Sequence, residues 1–116
     1  MAKKILVIDD EPDVLQVLSM FLGNAGFETE TAIDAKTAGE KIQNTPVDLI
    51  LLDIMLPDKS GFQFCEELKK TSFASIPIVM VSAKTDAADI VKGLRSGADD
   101  YITKPIDFEK FVDRIN

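Results

Sequence analysis

Three nearly continuous aliphatic runs constrain the fold of this chain more than any other feature. They are KILVID (4–9), VDLILLD (47–53) and IPIVMVS (76–82). Strands that are covered on both faces, as in parallel sheets, have this pattern. Two further runs, FETETA (27–32) and DYITK (100–104), complete a set of five strands. FETETA alternates apolar and polar residues, which predicts a strand at the edge of the sheet.

Amphipathic segments separate these runs and predict five helices. They cover residues 12–26, 34–44, 60–71, 86–97 and 107–116, and each has a helix-start residue, namely Pro12, Asp34, Ser60, Asp86 and Asp107. Strands and helices therefore alternate, and right-handed crossovers lead to a doubly wound α/β fold. We predict a five-stranded parallel sheet of flavodoxin-like order 2-1-3-4-5, formed by one domain over residues 1–116.

Composition excludes several classes of function. A net charge of −7 argues against direct nucleic-acid binding, which needs a basic face. The chain has no histidine, so histidine metal ligands and histidine bases are excluded. The single cysteine, Cys65, excludes an internal disulfide, and its helical spacing with apolar neighbours predicts a small buried residue. No apolar run has the length of a membrane helix, so the expected location is the cytoplasm, without membrane partners.

Polar residues stand at the predicted strand ends. Asp9 and Asp10 end the first strand, Asp53 the third, Ser82 the fourth and Lys104 the fifth. Ligands of such sheets bind beyond the carboxyl ends of the strands, where strands one and three are neighbours. Three converging carboxylates repel one another unless a hard cation such as Mg²⁺ binds them. Lys104 and Ser82 are suitable partners for a phosphoryl group.

Each of these residues also has an ordinary structural interpretation. Asp10 could be only the N-cap of the first helix, Asp9 a solvated strand end, and Ser82 a loop hydroxyl. Lys104 could be a surface lysine in a turn, and Tyr101 could belong to plain core packing. The coincidence of these residues with the predicted strand ends favours a functional site. Other aspartates are predicted to be helix caps or, at positions 58 and 99, turn residues without chemistry.

Four motifs, ILVIDDEPD, DLILLDIMLPDKSGF, IPIVMVSAKT and GADDYITKP, resemble the receiver domain of bacterial two-component response regulators. The resemblance covers essentially the whole chain. It implies that Asp53 accepts a phosphoryl group and that Lys104 and Ser82 contact that group. It further implies Mg²⁺ ligation by Asp9, Asp10, Asp53 and the Met55 backbone carbonyl. Ser82 and Tyr101 correspond to the residues that switch conformation.

The resemblance also implies partners. The phosphoryl donor is expected to be a sensor histidine kinase or a phosphotransfer protein. The face formed by residues 86–116 is expected to contact a downstream output domain or protein, and a homodimer is also compatible with the family. The Lys104–Pro105 peptide is expected to be cis. Ile106 departs from the usual phenylalanine, and the residues at the two positions that modulate phosphoryl lifetime, Met55 and Lys84, predict no unusually fast hydrolysis.

Three other functions stay open at this point. The first is a Mg²⁺-dependent phosphatase that works through an aspartyl phosphate, although that class carries a second aspartate where this chain has Met55. The second is a flavin-binding electron carrier, although DDEPD after the first strand is the opposite of a phosphate-binding loop. The third is a receiver-like interaction module that is not phosphorylated.

Overall fold

The computed structural model describes residues 3–115. Residues 1, 2 and 116 lie outside this range, so the last residue of the fifth predicted helix is not described. The elements are β1 (Lys4–Ile8), α1 (Pro12–Asn24), β2 (Glu28–Ala32), α2 (Ala35–Asn44), β3 (Leu49–Leu52), α3 (Gly61–Leu68), β4 (Ile78–Ser82), α4 (Ala87–Arg95), β5 (Asp100–Thr103) and α5 (Phe108–Ile115). The alternation of strands and helices is the predicted one.

The five strands form one parallel sheet in the order β2-β1-β3-β4-β5. This order confirms the predicted doubly wound fold and places the alternating strand β2 at an edge. Strands β1, β3 and β5 end one residue earlier than predicted. The amides of Asp9, Asp53 and Lys104 still donate to carbonyls of neighbouring strands at 2.8–3.1 Å, but the chain turns away after them. These three residues therefore lie just beyond the strand ends.

Helices cover both faces of the sheet, because the inner strands carry apolar side chains on both faces. One core contains Leu6, Ile8 and Leu52 and packs against α2, α3 and α4. The other contains Ile5 and Val7 and packs against α1 and α5. Alternate residues of β1 thus point into opposite cores, as the pleat of a strand requires.

The predicted helix starts differ in how they are built. Asp34 and Ser60 accept hydrogen bonds from backbone amides three residues later, at 2.7 and 3.1 Å, as good N-caps do. Asp86 stands at the N-cap position of α4, but its side chain makes no cap bond. Helix α1 begins at Pro12, and the N-cap is Glu11 rather than Asp10. Helix α3 ends at Leu68, three residues earlier than predicted, and a series of turns leads to β4.

Two expectations from composition can be compared with the structure. Cys65 is fully buried in the core, and burial raises the pKa of its thiol, so the prediction of a buried residue is confirmed. Within residues 3–115, no helix combines the length and the apolar character needed to cross a bilayer.

Candidate metal and phosphoryl site

The carboxyl ends of β1 and β3 bring an acidic cluster together. Asp9 follows β1 and Asp53 follows β3, and the two strands are paired neighbours. Asp9 is 2% exposed and Asp53 is 8% exposed, whereas Asp10 is open to solvent. The apolar strands therefore position two nearly buried carboxylates, which is costly unless partners compensate their charge.

Three carboxylates of this cluster are close enough to share one ion. One oxygen from each of Asp9, Asp10 and Asp53 lies within 4.8 Å of the other two. An octahedral Mg²⁺ holds its oxygens at 2.0–2.1 Å, so opposite ligands of one ion are about 4.2 Å apart. The donor set is all oxygen, and its spacing is close to this value. The residues present therefore fit a hard divalent cation.

Lys104 supplies a positive charge to the same cluster. Its Nζ donates to Oδ2 of Asp9 at 3.1 Å and lies 3.8 Å from Oδ2 of Asp53. Burial acts to lower the pKa of Lys104, but the carboxylates of Asp53 and Asp9 outweigh it, and the net shift is upward. The lysine thus stays protonated and bridges the two buried acids.

Lys104 compensates the negative charge of Asp53 only in part. Its pKa is raised, first by burial and then by the negative charge of Asp9. Lys104 acts in the opposite direction without cancelling these two effects. The amide of Met55 donates to Oδ1 of Asp53 at 3.4 Å, which is a long hydrogen bond. The negative charge of the Asp53 carboxylate is therefore incompletely compensated, which favours the binding of a further cation.

Ser82 is the last residue of β4, and Tyr101 lies within the neighbouring strand β5. The Ser82 hydroxyl is buried and accepts a hydrogen bond from the Lys84 amide at 3.1 Å. Tyr101 is also buried, and its hydroxyl donates to the Lys84 carbonyl at 2.8 Å. Both side chains thus bond to the backbone of Lys84, in the loop that leads from β4 to α4.

The tyrosine ring occupies space that a glycine leaves open. A β-carbon added at Gly93 in α4 would lie 2.9 Å from Cδ2 of Tyr101 and 2.9 Å from the sulfur of Met80. Real β-carbons do not approach other atoms so closely. The inward position of Tyr101 therefore depends on the absence of a side chain at residue 93.

The loop between β3 and α3 is tightly folded, and two of its features were missed by the sequence analysis. The amide of Gly61 donates to the Ile54 carbonyl at 2.6 Å, and a β-carbon at Gly61 would lie 2.4 Å from the Asp53 carbonyl oxygen. Asp58, predicted to be only a turn residue, accepts hydrogen bonds from the first two amides of α2. The Gly in KSGF was the one available signal for the close approach.

For the acidic residues and Lys104, the ordinary structural interpretations fit less well than the clustered site, whereas Tyr101 does belong to a core cluster. Asp9 is buried rather than solvated, and Asp10 is not the N-cap of α1. Lys104 pairs with two acids rather than standing free in a turn, and the Lys104–Pro105 peptide is cis as expected. The predicted site residues Asp9, Asp10, Asp53, Ser82 and Lys104 all lie at the carboxyl edge of the sheet, which is the edge that the topology predicted.

Relatives of this chain have the same fold and similar sequences. The response regulator receiver domain model matches residues 5–116. The DNA-binding response regulator MtrA of Mycolicibacterium smegmatis is 42% identical over 115 residues, which are 99% of this chain and 50% of MtrA. The phosphate regulon transcriptional regulatory protein PhoB of Escherichia coli is 43% identical over 116 residues, which are 99% of this chain and 51% of PhoB. The chain spans about half the length of these curated relatives.

A solved structure agrees with this result. The response regulator receiver domain protein (CheY-like) from Methanospirillum hungatei superposes with a TM-score of 0.91 at 32% identity, covering 99% of this chain and 91% of that chain. Family match, sequence identity and fold all point in one direction. The chain belongs to the receiver domain family of two-component response regulators, which are signalling domains.

Proposed function

We propose that this domain is a phosphoacceptor switch of a two-component system, in which Asp53 receives the phosphoryl group. The observation that carries the proposal is the position of Lys104, whose ammonium group lies 3.1 Å from Asp9 and 3.8 Å from Asp53. A nearly buried carboxylate beside one cation and two further acids has the parts for phosphoryl transfer, in which positioning and charge neutralisation supply most of the catalysis. Residues 1–116 are proposed to form a single receiver domain.

The covalent step uses the side chain of Asp53 as nucleophile. A carboxylate oxygen of Asp53 attacks the phosphorus of a phosphohistidine on a sensor kinase or a phosphotransfer protein. The new P–O bond forms an aspartyl phosphate while the P–N bond breaks, and its electron pair stays on the departing imidazole nitrogen, which is protonated from water. Lys104 is placed to contact the transferred oxygens. Hydrolysis later restores the carboxylate, so the domain acts on itself and is not an enzyme that turns over a separate substrate.

The acidic cluster suits a magnesium cofactor. Asp9, Asp10, Asp53 and the backbone carbonyl of Met55 are the proposed ligands, and the oxygen donor set supports a hard cation. When bound, Mg²⁺ supplies positive charge that offsets the carboxylates and the phosphoryl oxygens. Asp9 meanwhile keeps Lys104 oriented toward Asp53 through the hydrogen bond at 3.1 Å.

The response to phosphorylation is proposed to spread through Ser82 and Tyr101. Both side chains bind the backbone of Lys84, so a new contact between Ser82 and a phosphoryl group changes the loop that also holds the tyrosine hydroxyl. The face of residues 86–116 carries α4, β5 and α5 and is the proposed contact for an output domain or protein, or for a second copy of the domain. MtrA is named as a DNA-binding regulator, whereas this acidic domain is proposed not to bind nucleic acid directly.

Mass spectrometry after incubation with acetyl phosphate and magnesium chloride tests the proposal. We expect one phosphoryl adduct on the wild-type domain and none on Asp53→Asn. Asp48→Asn is the matched control, because it removes a carboxylate at the amino end of β3, away from the acidic cluster. This variant should still be labelled. An unlabelled wild-type domain, under conditions that label a known receiver domain, would contradict the proposal and favour an unphosphorylated module. Sustained hydrolysis of a simple phosphomonoester would favour the phosphatase alternative.

Beryllofluoride, which mimics the phosphoryl group, tests the switch separately. NMR titration with Mg²⁺ should shift the amides near Asp9, Asp10 and Asp53. Beryllofluoride should then extend the shifts to Ser82, Tyr101 and Lys104. Shifts that stay within the acidic cluster would leave the phosphoryl site in place but refute the switch.

A further inference from the structure

The loop between β3 and α3, residues 53–60, carries both Asp53 and the Met55 carbonyl. Its base is closed by the 2.6 Å hydrogen bond from Gly61 to Ile54 and by an antiparallel bridge between Met55 and Ser60. The tip of the loop is the segment between the bridged residues Met55 and Ser60, and it contains Asp58. Any contact that holds the tip also limits the movement of the residues between the tip and the base.

Asp58 makes such a contact with a separate element. Its Oδ1 accepts from the Ala35 amide at 2.9 Å, and its Oδ2 accepts from the Lys36 amide at 3.0 Å. Both amides belong to the first turn of α2 and have no partner within the helix. The pKa of Asp58 is lowered, chiefly by the Ala35 hydrogen bond, which indicates that the ionised carboxylate makes these bonds. Bonds from amides to a charged carboxylate are stronger than neutral ones.

Helix α2 already has its own N-cap, so Asp58 is a second capping side chain and comes from a distant part of the chain. The side chain of Asp34 accepts from the Thr37 amide at 2.7 Å, and the Asp34 carbonyl accepts from Ala38 at 3.1 Å. The first two amides of the helix are left for Asp58. Two carboxylates thus share one helix start, but only one of them belongs to the loop that holds the acidic site.

We propose that Asp58 is a positioning residue for this site, because its grip on the first turn of α2 fixes the loop that carries the Met55 carbonyl and Asp53. The inference rests on the proposed function, since the location of the Met55 carbonyl matters for the reaction only if a cation binds there. On the other side of the loop, Lys59 pairs with Glu67 at 2.8 Å, and these side chains are 31% and 50% exposed. Ion pairs between two flexible side chains near the surface contribute little. Asp58, in contrast, bonds with both oxygens to backbone amides of a helix, whose positions are fixed by the helix itself.

The test compares Asp58→Ala with Asp34→Ala. Both variants remove one capping carboxylate from α2, so both lose a similar amount of helix stability, whereas only Asp58→Ala releases the loop. The first measurement is amide hydrogen exchange at Gly61 without any metal, which reports the loop directly. The second is the Mg²⁺ dissociation constant from calorimetric titration with magnesium chloride.

We expect faster exchange at Gly61 and roughly 10-fold weaker Mg²⁺ binding in Asp58→Ala, the lower end of the effect of losing a supporting contact at a metal site. Asp34→Ala should match the wild type in both measurements. Asp58→Asn retains one acceptor oxygen for the two amides and should fall between wild type and Asp58→Ala.

Two results would overturn the positioning role. Equal effects in Asp34→Ala and Asp58→Ala would mean that both residues act only through helix stability. Unchanged exchange at Gly61 in Asp58→Ala would mean that the loop does not depend on the contact. Faster exchange at Gly61, together with a wild-type domain that neither binds Mg²⁺ nor accepts a phosphoryl group, would overturn the proposed function instead, so the two failures can be told apart.

Discussion

The two ends of the sheet hold aspartates in opposite ways. At the amino end, Asp48 accepts a hydrogen bond from the Lys4 amide at 2.8 Å, and Asp99 accepts one from the Ile78 amide at 2.8 Å. Asp100 forms an ion pair with Arg114. Each of these acids has its own donor. At the carboxyl end, Asp9, Asp10 and Asp53 crowd within 4.8 Å, and Lys104 bridges two of them.

The difference separates aspartates that bond singly to the fold from the crowded aspartates of the proposed phosphoryl site. The amino-end acids are solvated as well as bonded, since Asp48 is exposed and the Asp99 side chain is 56% exposed. An acid that shares one lysine with a second acid keeps a raised pKa and an unfilled need for positive charge, as Asp53 does. Asp9 and Asp53 also accept amide hydrogen bonds, at 3.0 Å from Glu11 and 3.4 Å from Met55. Burial and the crowding of like charges are therefore what distinguish the carboxyl end from the amino end.

Replacing Lys104 should give the largest effect, because it leaves two nearly buried carboxylates without their cation. We expect Lys104→Met to lose about 2–3 kcal/mol of unfolding free energy in the absence of divalent ions, below the full value for a buried pair since the lysine is partly exposed. Phosphorylation by acetyl phosphate should slow by about 100-fold. Urea unfolding and the rate of phosphoryl labelling measure the two effects.

Lys69 provides the matched control for this prediction. It lies 3.6 Å from Asp99 and donates to the carbonyls of Ala74 and Ile76, away from the acidic cluster. Lys69→Met should cost about 1 kcal/mol and leave labelling unchanged. Equal losses of labelling in Lys104→Met and Lys69→Met would contradict a specific role for the lysine at the carboxyl end of the sheet.

Magnesium should stabilise the domain through the carboxyl end alone. At a Mg²⁺ concentration 100 times the dissociation constant, binding adds about 2.7 kcal/mol of unfolding free energy. Asp9→Asn should lose most of this gain because it removes one proposed ligand, whereas Asp48→Asn should keep it. Thermal unfolding with and without magnesium chloride measures the gain, and a gain that survives in Asp9→Asn would place the ion elsewhere.

A smaller effect should appear in the pH dependence of the metal-free domain. The pKa of Asp53 in the folded state lies above the unfolded value of 3.8. At pH values between these two pKa values, the native state therefore binds more protons than the unfolded state. Stability contributed by this group therefore falls as pH rises through that window. Asp53→Asn lacks the penalty and should be more stable than wild type at neutral pH, but not below pH 3.8.

Urea unfolding at both pH values tests this expectation, and magnesium chloride at neutral pH should reduce the advantage of the variant. A constant difference between Asp53→Asn and wild type across the window would show that the ionisation of Asp53 costs nothing in the fold.

The smallest effect should come from Asp48→Asn itself. Asparagine keeps an acceptor oxygen for the Lys4 amide, and the site is exposed, so unfolding free energy should change by less than about 0.5 kcal/mol. Labelling by acetyl phosphate should stay at the wild-type rate. A loss of labelling comparable to that of Asp9→Asn would contradict the separation of structural from chemical aspartates.

The sequence predicted the topology and the edge at which the site lies, because both depend on local patterns. Runs such as LILL in β3 mark strands that are buried on both faces, and the first polar residue after each run marks the edge. Asp9, Asp53 and Lys104 were placed in this way, with strand ends displaced by one residue. The proximity of Asp9 and Asp53 then follows from strand order alone.

Contacts between distant segments could not be predicted in this way. The bonds from Asp58 to α2 span 22 and 23 residues and depend on how the loop tip meets the helix, which no periodicity encodes. The same holds for the close approach of Gly61 to the Asp53 carbonyl. The missing cap bond of Asp86 shows the reverse case, in which a favourable residue type stands at the right position but its side chain does not bond.

The contact between Gly93 and Tyr101 has a consequence for how sequences of this fold can diverge. A hydrogen atom at position 93 is what leaves room for the aromatic ring beneath α4. A lineage that acquires a larger residue at 93 has to lose the ring at 101, turn it outward or lift the helix. Substitutions at the two positions are therefore coupled, because the size of the residue at 93 limits which side chains fit at 101.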